Sequence, residues 1–266
     1  VNLDIPYNLF QEEAEVNEEP AGSAFGLRRS GASPADVIAA VDMLLAAERP
    51  VLFIGHGVTL SEASQELTAL ARRLEIPVIS SPNGMGCIDM LDDLSLGFIG
   101  RNGAYQANQA GRRADLVLAI GARFDDRSAS SWQPGYSWNF PATKLIHVDV
   151  DHAEIGRNYP ATLAILADAK SFLLQVLAEI ESRDIGGEPR LVGWRADLAG
   201  WRAEWEKFVA PGFAMHSTPI RPERIVADCR KVLPDDAIIS LDSGIHHNWF
   251  MQFWRARRPQ TMLNSW

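Results

Sequence analysis

Two arginines and two aspartates stand within seven residues in the stretch from Gly121 to Arg127, which reads Gly-Ala-Arg-Phe-Asp-Asp-Arg. This stretch directly follows Leu116–Ile120, a continuously apolar run typical of a strand that is covered on both faces. Arginine offers a planar, permanently charged fork that suits a phosphate group or a polarised ring edge. Charge runs on loops are more often solvated ion pairs. The stretch therefore indicates either a phosphate-binding loop or a surface cluster of ion pairs.

A second acidic segment, His-Val-Asp-Val-Asp over residues 147–151, ends another predicted strand. A carboxylate such as Asp149 can accept hydrogen bonds from ribose hydroxyls at such a position. His147 lies inside the strand, which favours a hydrogen-bonded core or supporting histidine over a catalytic one. Asp168 can contact an adenine, but capping of the following helix is enough to explain an aspartate there.

Two glycine-containing turns also follow predicted strands. Gly55 and Gly57 can let backbone N–H groups approach a pyrophosphate, but the third glycine of the dinucleotide fingerprint is missing, so a steric role is favoured. Near the end of the chain, Gly244 permits a tight turn, and His246 and His247 can donate to diphosphate oxygens. Neighbouring residues on a helix point apart, and no carboxylate or cysteine completes a zinc spacing. We therefore predict no metal site here.

The elements that must position these residues alternate between strand and helix. Ser33 and Pro34 begin a helix, and Thr59 and Glu62 have the spacing of a capping box for the next one. Short buried strands joined by helices predict an α/β fold with a doubly wound parallel sheet, which binds ligands at the carboxyl ends of its strands. The predicted strands cover residues 51–54, 76–79, 116–120, 145–150 and 164–166.

The chain divides into four predicted parts. Residues 1–30 are the end of a preceding domain with a polar, acidic linker, and residues 31–185 form the doubly wound domain. Residues 186–218 form a linker with a tryptophan-rich helix whose apolar face packs against a neighbouring domain. Residues 219–266 begin a second α/β unit that is too short to be complete. Because its strand Ala237–Leu241 would be alone, we expect disorder, proteolytic trimming, or docking on the first domain or on a second copy.

Composition narrows the class of protein. The formal net charge of −9 argues against a nucleic-acid partner, because phosphate binding needs a basic face. Cys87 and Cys229 have no metal-ligand spacing, and their number favours a reducing, cytoplasmic location. No apolar run in the sequence is long enough to predict a membrane span.

Taken together, these segments resemble the acetohydroxyacid synthase (acetolactate synthase) branch of thiamine-diphosphate-dependent enzymes. The resemblance is carried by the Gly121–Arg127 stretch, by His147–Asn158, by Gly84-Met85-Gly86 and by Ala107-Asn108, in matching order and spacing. The opening Leu3-Asp4-Ile5-Pro6 resembles the last strand of the family's pyrimidine-binding domain. The resemblance covers the whole chain.

The resemblance implies a Rossmann-like middle domain that binds FAD, and it implies that the later glycine turn touches the thiamine diphosphate. In the glycine turn that begins at Gly244, Ile245 and His247 stand where the family has two glutamines. The implied FAD residues are Gly55, Gly57, Ser81, Pro82, Asn83, Gly100, Asn102, Gly103, Gly121, Arg123, Asp125, Arg127, Asp149, Asp168 and Ala169. The implied thiamine diphosphate residues are Gly244, His246 and His247.

The resemblance also implies an enzyme that uses thiamine diphosphate and Mg²⁺ to decarboxylate a 2-oxo acid such as pyruvate and to transfer the resulting carbanion to an acceptor. Such enzymes are homodimers or homotetramers. The family's catalytic glutamate belongs to the preceding domain, and its magnesium-binding segment follows Trp266. We therefore expect these 266 residues to contain no catalytic residue and no metal ligand, and to be inactive alone.

Several alternatives stay open at this point. Within the family they are a cyclic-dione hydrolase, a sulfoacetaldehyde acetyltransferase or an oxidase. Outside it, the chain can be a non-catalytic nucleotide-binding or structural module, or a Rossmann-like domain for a nicotinamide nucleotide. The sequence does not choose the 2-oxo acid or the acceptor, because the acceptor pocket is built mostly from residues outside this chain.

Overall fold

A computed structural model describes residues 6–13, 29–183, 185 and 190–264. The Leu3–Ile5 part of the predicted opening strand, most of the predicted 1–30 linker and the predicted break at 186–189 lie outside the described residues.

The centre of the molecule is a six-stranded parallel sheet, which confirms the predicted fold class. The strands lie in the order β3-β2-β1-β4-β5-β6. Every residue of β1 and β4 is buried, which explains why both strands are apolar without alternation. Their bounds are β1 Pro50–Ile54, β2 Val78–Ser80, β3 Ser95–Phe98, β4 Leu116–Ile120, β5 Lys144–Asp149 and β6 Leu163–Leu166.

Helices cover the sheet in two packed groups. Helices α1 and α3 both pack against α5, whereas α4 packs against α6. Ser33 caps α1 as predicted, since its Oγ accepts a hydrogen bond from the Asp36 N–H at 3.2 Å. The bounds are α1 Pro34–Ala46, α2 His56–Leu60, α3 Ser64–Leu74, α4 Tyr105–Arg113, α5 Ala169–Ser182 and α6 Val192–Ala214, with 3₁₀ turns at Tyr7–Gln11 and Pro82–Gly84.

One local prediction is wrong, and one strand was not predicted. The capping box does not form, because Thr59 lies inside α2 and its hydroxyl donates to the Asn83 carbonyl at 3.2 Å. Glu62 has a positive φ of 54°, which separates α2 from α3, and no side chain caps α3. Strand β3 was not predicted, because Ser95 and Gly97 interrupt its apolar run and Gly97 itself has a positive φ of 84°.

Beyond α6 the chain forms a small unit of two helices and two strands. Helices α7 (Pro222–Val232) and α8 (Ile245–Phe253) accompany β7 (Ile239–Leu241) and β8 (Met262–Asn264). The prediction that the strand before Asp242 would be alone is wrong, because β8 pairs with β7 in parallel. β8 is only three residues long, so its pattern was too short to detect.

This unit docks on the first domain, one of the outcomes expected from the sequence. Met85, Met90 and Phe98 of the first domain share an apolar cluster with Met251 and Trp254 of the unit. Trp254 is completely buried there. Burial of apolar surface is therefore what joins the two parts.

The tryptophan stripe of α6 packs as predicted. Trp194 is buried and its Nε1–H donates to the Pro50 carbonyl at 3.1 Å, which ties α6 to the start of β1. Trp201 contacts Trp194 edge-on, and the Arg113 guanidinium lies over the Trp201 ring. None of the helices in the described part of the chain is long and apolar enough to cross a bilayer.

The turns that follow β1 and β4 touch each other through their backbones. The Gly55 N–H donates to the Ile120 carbonyl at 3.0 Å, and the Gly57 N–H donates to the Gly121 carbonyl at 3.1 Å. A Cβ on Gly55 would overlap the Gly121 carbonyl oxygen, and one on Gly57 would lie 2.6 Å from the Gly121 Cα. Gly121 also has a positive φ of 55°. Three glycines are therefore required for this contact.

We predict that Gly55→Ala lowers the free energy of unfolding by about 2–3 kcal/mol, because the two turns must separate to admit the methyl group. Urea denaturation followed by circular dichroism measures it. The matched control is Gly200→Ala in α6, where a Cβ meets nothing within 4 Å and helix propensity should add up to about 1 kcal/mol. Equal stability of Gly55→Ala and wild type would contradict the conclusion that the contact between the two turns requires glycine at position 55.

Candidate functional site

A cleft of about 680 Å³ opens at the carboxyl edge of the sheet, between the turns that follow β1 and β4. The chain runs from β1 outward to β3 in one direction and from β4 to β6 in the other, so this is the point where the strand order reverses. Ligands of doubly wound sheets bind at such points. Ten of the fifteen predicted FAD residues line it: Gly55, Gly57, Ser81, Pro82, Asn83, Gly121, Arg123, Asp125, Arg127 and Asp149.

Six further residues that line the cleft were not among the predicted FAD residues. Leu60 and Val150 are apolar yet 71% and 66% exposed, so they offer the cleft uncovered apolar surface. His56, Ala122, Asp126 and Asp151 complete the lining. Five of the six lie in, or directly beside, the strand-end segments already singled out, and this proximity was the available signal.

Arg123 presents its charge at the mouth of the cleft. Its side chain is 75% exposed, and its Nε lies 4.0 Å from the buried Glu154 carboxylate. Asn158 steadies the backbone of this turn, because its Nδ2 donates to the carbonyl oxygens of Arg123 at 2.9 Å and Phe124 at 3.2 Å. Asn158 thus holds the backbone of the turn, while the Arg123 guanidinium stays accessible to a ligand.

The carboxylates of the cleft have partly local roles. Asp125 Oδ1 accepts from the backbone N–H groups of Arg127 at 2.9 Å and Ser128 at 2.8 Å. Asp149 Oδ1 accepts from the Asp151 N–H at 2.9 Å. Within the described residues, Oδ2 of Asp125 and of Asp149 makes no hydrogen bond. Each carboxylate can therefore shape its turn and still accept a bond from a ligand.

His147 supports the cleft from below, as predicted. It is buried, its Nδ1 accepts from the Gly156 N–H at 3.2 Å, and its Nε2 lies 2.9 Å from the Ala122 carbonyl. These partners require a neutral ring that carries its proton on Nε2. Burial lowers the pKa of His147, although the Ala122 bond and the nearby Asp149 and Glu154 oppose that shift.

Three predicted FAD residues lie in the turn after β3, outside the cleft lining. A Cβ on Gly100 would overlap the Arg127 carbonyl oxygen, so Gly100 lets this turn pack against the β4 turn. The Gly103 N–H closes the turn on the Gly100 carbonyl at 2.9 Å. Asn102 faces the C-terminal unit, since its Nδ2 donates to Asn248 Oδ1 of α8 at 2.9 Å.

Asp168 and Ala169 also lie outside the cleft lining. Asp168 caps α5 through the Ser171 N–H at 3.0 Å, accepts from Ser61 Oγ at 2.6 Å and pairs with Arg29 at 3.5 Å. Burial by itself would raise the pKa of Asp168, but the bonds from Ser61 and Ser171 and the charge of Arg29 hold it below its ordinary value. Capping thus accounts for this residue, as the sequence suggested.

The predicted thiamine diphosphate residues lie around the start of α8. Gly244 precedes the helix, and His246 is exposed. His247 is buried, and its Nε2 lies 3.1 Å from Asn264 Oδ1 of β8. Burial lowers the pKa of His247, Asn264 opposes this, and the charges of Arg127 and His246 lower it further. The two histidines therefore point apart.

Among residues 6–13, 29–183, 185 and 190–264, no three His, Cys, Asp or Glu side chains converge so that they could hold a metal ion.

Comparison with known proteins gives consistent matches. Residues 37–176 match the family model described as thiamine pyrophosphate enzyme, central domain. The probable acetolactate synthase large subunit of Methanocaldococcus jannaschii is 31% identical over the whole chain, which covers 45% of that relative. The acetolactate synthase large subunit of Parasynechococcus marenigrum is 33% identical, again over the whole chain, with 42% of the relative covered. The chain thus spans less than half the length of these relatives.

We predict that acidification destabilises the protein partly through His147. Because its pKa is lower in the folded state, the unfolded chain takes up the proton first, and stability falls as the pH drops below about 6.5, by at most about 1.4 kcal/mol per pH unit. His147→Gln should reduce the loss of unfolding free energy between pH 7.5 and 5.5, measured by urea titration.

The control for this measurement is His152→Gln, whose side chain is 89% exposed and which should keep the wild-type pH dependence. An unchanged pH dependence in His147→Gln would mean that His147 is not held neutral.

Proposed function

The chain belongs to the thiamine pyrophosphate enzyme family, and on that premise we propose that the cleft between β1 and β4 binds FAD. The observation that carries the proposal is that Arg123, Arg127 and Asp149 share one cleft at the point where the strand order reverses. Phosphate-suited and ribose-suited groups thus meet where a doubly wound sheet takes its ligand. The volume of about 680 Å³ falls within the range of about 300–1,000 Å³ usual for ligand sites.

In this proposal, side chains rather than glycine amides neutralise the pyrophosphate. The N–H groups of Gly55, Gly57 and Gly121 already donate to the carbonyls of Ile120, Gly121 and Val148. Arg123 is the best-suited donor, because Glu154 and Asn158 hold its turn while its guanidinium is mostly exposed. A guanidinium can bind two phosphate oxygens at once.

The remaining parts of FAD have matching partners. The Asp149 oxygen that makes no bond in the described structure suits a ribose hydroxyl. The exposed faces of Leu60 and Val150 suit an aromatic ring, because covering them removes apolar surface from water. When bound, FAD brings a redox-active ring, but the family resemblance assigns it no redox role in the main reaction.

We further propose that the longer protein is a thiamine-diphosphate- and Mg²⁺-dependent carboligase of the acetolactate synthase type, acting on a 2-oxo acid such as pyruvate. The printed names of the two relatives above support this. Gly244 and His246 are our candidate contacts to the diphosphate. His247 would act by holding the start of α8 against Asn264. A homodimer or homotetramer and a cytoplasmic location complete the proposal.

We predict that the purified chain quenches FAD fluorescence in a saturable titration and that Arg123→Ala weakens binding about tenfold or more, through loss of charge-assisted hydrogen bonds. The control is Arg49→Ala, because Arg49 is an exposed arginine that borders a different depression, next to Asp115. Tight NADP binding without FAD binding would contradict the proposal in favour of a nicotinamide site.

We also predict that the 266-residue chain releases no carbon dioxide from pyruvate when supplied with thiamine diphosphate and Mg²⁺. The reason is that its relatives devote more than half of their length to other segments. Product above a heat-killed control would show that the catalytic apparatus lies within these residues.

A further inference from the structure

A second cavity, of about 350 Å³, lies where three parts of the protein meet. The first domain contributes Ser95, Gly97 and Gln106, helix α6 contributes Arg202 and Trp205, and the segment after α8 contributes Arg255. None of these residues lines the cleft between β1 and β4. The cavity is therefore a separate feature, and its volume suits a small molecule.

Arg255 brings a charge into this cavity without a matching carboxylate. Its Nη1 donates to the Gln252 carbonyl at 2.9 Å and approaches the Trp254 carbonyl at 3.4 Å. In the part of the chain that the structure describes, no carboxylate oxygen lies within 4.0 Å of Arg255. Burial lowers the pKa of Arg255, nearby Arg202 lowers it further, and Glu206 opposes the shift. Arg255 is half-buried, and a half-buried cation without a carboxylate partner favours a bound anion.

Two more polar atoms of the cavity residues lack partners. Gln106 is 5% exposed, and its Nε2 donates to the Leu96 carbonyl at 3.1 Å, but its Oε1 is buried without a hydrogen bond in the described residues. The Trp205 Nε1 is likewise buried without an acceptor there. Buried polar atoms without a partner are destabilising, so a bound molecule or an ordered water that paired with them would stabilise the protein.

The carboxylates around the cavity do not fill this need. Asp93 pairs with Arg202 at 3.4 Å, but its side chain is 91% exposed. Glu206 is exposed and lies beyond ion-pair distance of either arginine. Both carboxylates therefore lie at the rim, whereas Gln106 Oε1 and Trp205 Nε1 are buried and Arg255 is half-buried.

We propose that this cavity binds a small oxyanion that also carries a hydroxyl group. Anionic oxygens would accept from Arg255 and from the Trp205 Nε1–H, and the hydroxyl would donate to Gln106 Oε1. Hydrogen phosphate and a small 2-hydroxy acid share this chemistry. Because Gln106, Trp205 and Arg255 come from three parts of the protein, the bound anion would clamp the C-terminal unit and α6 onto the first domain.

Isothermal titration calorimetry of the purified chain tests the proposal, with sodium phosphate, sodium lactate and sodium chloride at matched ionic strength. We expect saturable binding of phosphate, of lactate or of both, and none of chloride. Arg255→Gln should weaken binding about tenfold or more. Trp205→Phe, which keeps the ring but removes the N–H, should weaken it about threefold or more.

Two controls separate this cavity from other anion sites. Arg258→Gln removes the same charge from an arginine that lies outside the cavity and is 64% exposed, and it should leave binding unchanged. Arg123→Ala removes the arginine proposed to bind the FAD pyrophosphate, so phosphate or lactate that still binds to this variant binds outside the first cleft. The test is therefore independent of the FAD proposal.

Absence of saturable binding of both phosphate and lactate would overturn the proposal and mean that water fills the cavity. Binding that Arg123→Ala abolishes and Arg255→Gln preserves would overturn it as well. If circular dichroism shows that Arg255→Gln is unfolded, Trp205→Phe decides, and wild-type affinity in that variant would contradict the proposal.

Discussion

The contact between the turns after β1 and β4 is the constraint on which the candidate site depends. Gly55, Gly57 and Gly121 bring two backbones together at a distance that no side chain permits. Their N–H groups are used by the sheet and by each other. The cleft is therefore closed at its base by backbone, and the charges that could recognise a ligand are carried by side chains above it.

Those side chains are held by a layer of polar groups around β5. His147 bridges Ala122 and Gly156, Glu154 lies beside Arg123, and Asn158 binds two carbonyls of the β4 turn. The two bonds of His147 and the bond from Asn158 to the Phe124 carbonyl are buried or partly buried, so they limit the freedom of the turn more than solvent-exposed bonds would. These bonds hold the turn that bears the arginines in place, which lowers the entropy that the turn would lose on binding a ligand.

Docking of the C-terminal unit connects this cleft to the second cavity. Asn102 binds Asn248, and Asn264 lies 3.5 Å from the Pro82 carbonyl, so α8 and β8 contact turns that border the cleft. The same docking brings Arg255 into one cavity with Arg202 and Trp205 of α6. Trp254, which is completely buried, lies directly before Arg255 and fixes its position.

The sequence by itself determined the strands whose signal is local. Strands β1 and β4 were predicted because burial on both faces demands continuous apolar runs, and β5 was predicted from a mostly apolar run. The Ser33 and Asp168 caps were predicted because capping depends on residues two or three positions away. The carboxyl edge of a parallel sheet also gathers strand ends, so topology indicated where the cleft would lie, and the family resemblance supplied the ten predicted residues that line it.

Tertiary structure decided what depends on distant partners. Thr59 does not form the predicted cap, because its hydroxyl donates to the Asn83 carbonyl instead. Strands β3 and β8 form because neighbouring strands supply their hydrogen bonds. The side chains of Asp168 and Asn102 could bind a nucleotide by their chemistry, yet they contact Ser61 and Asn248 and do not line the cleft. The convergence of Gln106, Trp205 and Arg255 joins residues far apart in the chain. No local pattern encodes such a meeting, because it results from the packing of whole elements.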